Sequence, residues 1–230
     1  MLDYNKHKDS IKRLARKNFF LHRLSLLALK IYSMGGVKIK KGNGVKLRIS
    51  NIGKGNSFAS GENCLIDKLH IRIVGDNNSI VIGNNVTIKS NCRMILLGNN
   101  CTIRIGDDTS ISSNCQLETQ EQGIGIELGN DCMLSNHIHI RTSDSHFIYD
   151  KETGKRTNMP ANVVIGNHVW IAAYATILKG VNIGDGAVVG YGSIVTKSIT
   201  ENSVAVGIPA KVVQTSVEWS RKEKNKYDKD

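Results

Sequence analysis

Six aliphatic residues recur at intervals of six: Ile165, Ile171, Ile177, Ile183, Val189 and Val195. Each opens a hexapeptide such as Ile-Gly-Asn-His-Val-Trp or Ile-Gly-Asp-Gly-Ala-Val. The fifth place is held by Val169, Ala175, Val181, Ala187, Ser193 and Ile199, which are mostly small or β-branched. A six-residue unit is one short strand and one turn. Its aliphatic residue points inward, and Gly, Asn or Asp accepts the tight left-handed turn. Three units close a triangular coil, and stacked coils align the aliphatics and satisfy backbone groups between rungs. An antiparallel β-protein also has aliphatics and Asn-Gly turns, but it has no reason to keep so strict a step. The spacing therefore predicts an all-β parallel β-helix, a hexapeptide-repeat solenoid.

A longer repeat precedes this one. Ile82-Gly83, Ile105-Gly106 and Leu128-Gly129 keep one spacing, and so do Cys92 and Cys115. The expected unit is a coil of three hexapeptides carrying a short elaboration. The composition agrees with a repetitive Val/Ile interior: 5% of the 230 residues are aromatic, and there are 22 Gly but 2 Pro. Cys64, Cys92, Cys101, Cys115 and Cys132 each close a similar phrase, such as Gly-Asn-Asn-Cys. None forms Cys-x-x-Cys, so they read as small buried hydrophobes, and no metal is expected.

The formal charge of +11 is concentrated at one end. Residues 1–41 hold most of it, so the basic character belongs to a leader segment, and nucleic acid is not the expected partner. Within that segment, residues 7–33 read as a helix with an apolar face of Ile11, Leu14, Leu21 and Leu24 opposite Lys12, Arg13, Arg16 and Lys17. Such an N-terminal α-helix would cap the solenoid. A basic amphipathic helix also suits an anionic membrane surface, and the two roles can coexist. The apolar run Phe19–Tyr32 is broken by His22, Arg23 and Lys30, and no secretory signal is visible. The expected location is cytoplasmic, with a peripheral position at the inner membrane open through this helix. The domain reading is a helical cap over 1–41, a β-helix over 42–213 and a polar tail over 214–230 that is loosely helical or disordered.

One long protruding loop, 141–162, interrupts the repeat. A solenoid does not need it for stability, so chemistry is expected there. It carries Asp144, His146 and Tyr149 with the basic groups Arg141, Lys151, Lys155 and Arg156.

The pieces Thr-Ser-Asp-Ser-His (142–146), Ile-Gly-Asn-His-Val-Trp-Ile (165–171), Gly-Ser-Ile-Val-Thr-Lys (192–197) and Val-Gly-Ile-Pro-Ala-Lys-Val (206–212) occur in that order. Together they resemble the hexapeptide-repeat O-acetyltransferases, and the loop phrase His-x-Ile-Tyr-Asp is similar to the capsule-modifying members. The resemblance covers Ile140 to Val213. It implies left-handed winding, acetyl-CoA as acetyl donor, a sugar or surface polysaccharide as acceptor, and a homotrimer with sites between adjacent prisms. It makes His146 the catalytic base, able to take a proton from an attacking hydroxyl. It puts Trp170 beside the thioester, main chain near Ala172 and Ala173 at the developing oxyanion, and Tyr191, Thr196, Lys197 and Lys211 along the CoA groove. Lys211 stands where relatives have Arg, and Tyr191 where many have Ala, which leaves the adenine contact open. Asp144, Tyr149 and Arg156 are the expected acceptor-binding residues, and the loop's basic groups suit an anionic glycan.

Two other enzymatic readings stay open. One is N-acetyl transfer to a nucleotide-linked amino sugar on the same scaffold. The other is zinc chemistry of the β-helix carbonic anhydrase kind, for which His137 and His139 are the candidates. A non-catalytic solenoid that binds a surface is a third reading. His168 occupies a turn place and is expected to face solvent.

Overall fold

The computed structural model describes residues 36–223. The predicted helix over 7–33 lies outside the described residues. Strands stack as a parallel solenoid with three faces. The first face is built from Lys38–Lys40, Ser57–Ser60, Ser79–Ile82, Thr102–Ile105, Gly125–Leu128, Val163–Ile165 and Asn182–Ile183. The second runs through Thr87–Ile88, Ser110–Ile111, Met133–Leu134, Trp170–Ile171 and Val188–Val189 to Ser203–Gly207. The third runs from Arg93–Leu97 through Gln116–Gln120, His139–Arg141 and Thr176–Ile177 to Ile194–Val195. The long strand Leu65–Val74 joins the second and third faces low in the stack, and Val45–Ile52 pairs with it.

Parallel register places like residues over like. Ile80, Ile103 and Ile126 are consecutive partners on the first face, and Ile88, Ile111, Leu134, Ile171 and Val189 on the second. All are buried in one continuous core. Each such side chain contributes about 1.5–3 kcal/mol on burial.

The Gly-Asn/Asp dipeptides explain themselves at the first corner, between the first and second faces. Asn84 N–H donates to Asp107 Oδ1 at 2.7 Å, Asp107 N–H to Asn130 Oδ1 at 2.8 Å, and Asn130 N–H to Asn167 Oδ1 at 2.9 Å. The preceding residue must be Gly because the next coil presses on it. A Cβ at Gly106 would lie 2.4 Å from Asn130 Oδ1 and 2.5 Å from the Gly129 carbonyl carbon. Most residues that turn each corner adopt positive φ, among them Asn85, Asp108, Asn114 and Asn100. Asn and Asp tolerate that conformation best after Gly.

The same ladder measures the coils. Its steps are 22 residues from Glu62 to Asn84, 23 to Asp107, 23 to Asn130, 37 to Asn167 and 18 to Asp185. The expected elaboration lies on the third face, where Arg93–Leu97 and Gln116–Gln120 are five residues long and Thr176–Ile177 is two. The 37-residue coil contains the loop. It leaves after His139–Arg141 and rejoins at Val163, at the step where the third face narrows.

All five cysteines are free and buried. Each thiol lies inside a corner and donates to a carbonyl of the following coil: Cys92 to Ser112 at 2.9 Å, Cys101 to Glu121 at 2.9 Å and Cys132 to Gly166 at 3.1 Å. Burial pushes the Cys132 thiol up to about 11. No helix among the described residues is long and apolar enough to cross a membrane.

The far end departs from expectation. The predicted loose tail from Gln214 is structured as far as it is described. Ser203–Gly207 turns back antiparallel into Ala210–Thr215, and Trp219 is buried. Val217 N–H donates to the Asn202 carbonyl at 3.0 Å. Polar composition hid this because a single aromatic residue provides the anchor.

Gly106→Ala and Gly192→Ala separate crowding from turn strain. Gly192 has φ +66° and nothing within 4 Å of where a Cβ would stand, so its alanine should cost about 1 kcal/mol for the left-handed backbone alone. At Gly106 the clash with the next coil should cost about 1–3 kcal/mol or more. Denaturant unfolding of the two variants checks the order.

Candidate functional site

The loop is short of regular structure but well tied. Tyr149 and Arg156 form an antiparallel bridge, and Asp150 N–H donates to the Lys155 carbonyl at 2.8 Å to close a small hairpin. Its base is organised by Asn158, which is buried. The Asn158 amide donates to the His146 carbonyl at 2.8 Å and to Asp144 Oδ2 at 2.9 Å, while its oxygen accepts from Ile148 N–H at 2.8 Å. Lys179, on the coil above, reaches Asp144 Oδ2 at 2.5 Å. The Ala161 N–H donates to the Thr142 carbonyl at 3.0 Å, so the two ends of the excursion meet.

Arg156 fixes the hairpin to the coil below. Its guanidinium forms two 2.6 Å bonds to the two oxygens of Glu121, a fork that lysine would not reproduce. Ser143 Oγ donates to the same carboxylate at 2.9 Å, and Phe147 lies under the guanidinium with its centroid at 4.5 Å. The Arg156 bonds, above all, hold the Glu121 carboxyl below the usual range, and Lys179 does the same for Asp144. Arg156 and Asp144, expected at the acceptor, are both engaged in holding the loop. Glu121 and Lys179 escaped sequence reasoning because they lie outside the loop and carry no motif, and Asn158 was not singled out within it.

His146 is exposed, and its imidazole has no hydrogen-bond partner among the described residues. Tyr149 is 59% exposed. Lys151 and Lys155 are exposed at the hairpin tip. Thr196 and Lys197 follow the strand Ile194–Val195 at the corner between the third and first faces, where the loop also leaves, and both are exposed.

The other expected residues lie elsewhere. Trp170 is on the second face, flanked in register by Met133 and Val188. Its indole N–H is buried with no acceptor among the described residues. Ala172 and Ala173 follow it at the corner between the second and third faces. The Ala172 N–H is committed to the Val189 carbonyl at 2.8 Å, whereas Ala173 gives its carbonyl to Gly192 N–H. Of the two amides expected at the oxyanion, Ala172 is therefore occupied. Tyr191, 72% exposed, stands at that corner with its ring 5.3 Å from Tyr174, which stacks on His137 at 4.6 Å. Lys211 is on the returning strand, opposite Val206. The third face thus separates two groups within one chain. His146, Thr196 and Lys197 are on one side, and Trp170, Ala173, Tyr191 and Lys211 on the other.

The third face carries its own polar network. Glu118 accepts from Gln116 at 2.9 Å and from Gln120, with His139 Nε2 at 3.4 Å. His139 first, then the two amides and Arg141, hold its carboxyl down to about 2. His137 and His139 are engaged separately, and among the described residues no group of three His, Cys, Asp or Glu is placed to hold a metal. His168, expected to face solvent, keeps 37% of its side chain exposed while bonding Asp131 and stacking on Trp219.

Residues 162–197 match the family model for bacterial transferase hexapeptide repeats. The galactoside O-acetyltransferase of Escherichia coli K12 is 42% identical over 80 residues, 35% of this chain and 37% of that protein. The polysialic acid O-acetyltransferase of Escherichia coli O1:K1 is 32% identical over 84 residues, 36% of this chain and 27% of that protein. These matches span little more than a third of the length of the curated relatives at most. Solved structures match much further. The polysialic acid O-acetyltransferase OatWY superposes with a TM-score of 0.70 at 32% identity, covering 83% of this chain and 94% of that one. The polysialic-acid-specific acetyltransferase NeuO gives 0.62 at 28% identity, covering 79% and 90%.

Glu121→Ala should free the hairpin without unfolding the coil. Trypsin should then cut at Lys151, Lys155 or Arg156 while far-UV circular dichroism stays unchanged. In the unaltered protein the Glu121 clamp is fully present above the ordinary carboxylate pKa, since its folded value is lowered. It is lost as pH falls through that lowered value, so cleavage by an acid-active protease should rise only there.

Proposed function

We propose the following reaction for this chain, which belongs to the hexapeptide-repeat acetyltransferase family: transfer of an acetyl group from acetyl-CoA to a sugar hydroxyl of a surface polysaccharide or its precursor. The observation that carries the reading is His146, exposed on the clamped excursion with its imidazole free of any partner among the described residues. A base must keep a nitrogen lone pair for the incoming proton, and a side chain engaged by a carboxylate or amide would not. Asn158 holds the His146 carbonyl, so the residue is fixed by its backbone while its ring stays available.

In this mechanism neutral His146 takes the proton of the acceptor hydroxyl as that oxygen attacks the thioester carbon. The carbon–sulfur bond breaks, the acetyl ester forms, and the imidazolium returns its proton to the departing thiolate. The Ala173 amide and the Trp170 indole N–H are the donors suited to the carbonyl oxygen as it gains charge. Leaving the Trp170 donor buried and unpaired costs about 1–3 kcal/mol, which a ligand oxygen would relieve. Lys197, Lys211 and Tyr191 suit the phosphates and adenine of CoA.

The two groups of residues are separated within one chain, and a homotrimer of left-handed prisms would join them across neighbours, His146 from one subunit facing Trp170 of the next. The acceptor in this reading is an anionic glycan, in keeping with the polysialic acid enzymes that resemble the chain. With Arg156 occupied by Glu121 and Arg141 bonded to Ser145, the loop cations among the described residues best placed to meet it are Lys151 and Lys155.

Release of CoA in the presence of a glycan panel tests the reaction. His146→Ala should lower turnover by about 100-fold or more, the size of a general-base contribution. Retention of full activity would overturn the assignment. For an anionic acceptor, its KM should rise with added salt, and Lys151→Ala with Lys155→Ala should flatten that dependence.

A further inference from the structure

The first corner is turned at successive coils by Asn85, Asp108, Asp131, His168, Gly186 and Asn202, all at positive φ. His168, at φ 51°, is the member with a bulky ring. Strain of this kind persists where the surroundings over-determine it. Here the surroundings are the segment after Thr215. It runs back down the corner, with Val217 bonded to Asn202, Trp219 at His168 and Arg221 at Asp131.

Residues 168 and 219 hold each other twice. Trp219 Nε1–H donates to the His168 carbonyl at 2.7 Å, and His168 Nε2 lies 3.0 Å from the Trp219 carbonyl oxygen. Their rings stack at 4.1 Å and 11°. His168 Nδ1 lies 2.6 Å from Asp131 Oδ2, and Arg221 bonds the other Asp131 oxygen at 2.5 Å and stands over the Trp219 ring at 5.4 Å. The other face of this assembly is Trp170. Trp219 is only 7% exposed and its ring is tilted against Trp170, at 6.1 Å and 47°.

We propose that residues 216–223 form a strap in which Trp219 is a positioning residue for Trp170, locked by the His168–Asp131–Arg221 clamp; the functional part rests on the reading that Trp170 lines the acetyl-transfer site. Trp170 stands on an outer face between its in-register neighbours Met133 and Val188, and Trp219 packs its ring against it. That contact constrains the angle of the Trp170 ring, and small angular errors in a group near reacting atoms are costly.

The clamp is strongest with a charged imidazole. A carbonyl and a carboxylate only accept, so both ring nitrogens must carry protons to bond both. Burial disfavours that charge, but the Trp219 carbonyl and Asp131 outweigh burial and the repulsion of Arg221, and the His168 pKa is raised. The coil above presents Gly186, and its neighbour Asp185 is occupied by the Asn167 amides. The grip is therefore complete below the ordinary histidine pKa and weakens as pH rises through the raised one.

The chain contains two tryptophans, so a change at 219 leaves Trp170 as sole reporter. Trp219→Phe keeps a ring on His168 and the backbone carbonyl, whereas Trp219→Ala removes the ring. In the full-length protein, acrylamide quenching of Trp170 should be about twofold greater in Trp219→Ala than in Trp219→Phe. In Trp219→Phe it should rise with pH. Adding His168→Asn, which suits the corner but lacks the clamp, should make it high at every pH while the melting temperature is kept. With acetyl-CoA and glycan, Trp219→Ala should lower kcat by about tenfold with acceptor KM little changed, and Trp219→Phe should restore most of it. Equal quenching in the two variants overturns the strap. A kcat that is unchanged or increased in Trp219→Ala overturns the positioning role. An inactive wild-type protein that still shows the quenching difference would count against the acetyl-transfer reading and leave the strap standing.

Discussion

Among the described residues each inner coil is bonded to the coil above and the coil below, and that rung-to-rung coupling governs everything else. Strand amides pair in parallel register, and at the first corner a backbone N–H is received by the Asn or Asp side chain of the next coil, from Glu62 to Asp185. A residue therefore lies beside its own counterpart in the adjacent coil. Glycine is needed where the neighbour's backbone presses close, and the aliphatic positions form uninterrupted ladders. Backbone groups are satisfied without a single long sheet edge inside the stack.

That regularity is what permits the excursion. The coil that contains it is 37 residues long, yet the corner asparagines at its two ends, Asn130 and Asn167, keep the same bond as their neighbours. The insertion thus costs the solenoid little, and the Thr142–Ala161 bond closes it. The Glu121–Arg156 fork and the Asn158 network then convert a long loop into a fixed projection. His146 gains a defined place while its ring remains available, a combination that neither a mobile loop nor a strand of the prism provides.

The sequence reveals the periodic parts of this molecule because period is a local property. The six-residue step, the longer repeat, the buried cysteines and the position of the excursion all follow from neighbours in the chain, and the structure has each of them. The described part of the polar tail, as far as residue 223, departs from expectation for the opposite reason. Its fate depends on Trp219 meeting His168, two residues 51 apart. The ion pair of Arg156 is likewise hidden in the sequence, because its partner Glu121 lies 35 residues away.

By itself, then, the sequence determined the parallel coil, its ladders and corners, and where the one long loop departs, since each depends on spacing that repetition imposes. Tertiary structure decided which loop charges are occupied, that Trp170 and His146 stand on different sides of the third face, and that the C-terminal segment returns to grip a corner. Those outcomes turn on how the stacked coils bring distant side chains into hydrogen-bonding range, and no local pattern encodes that distance.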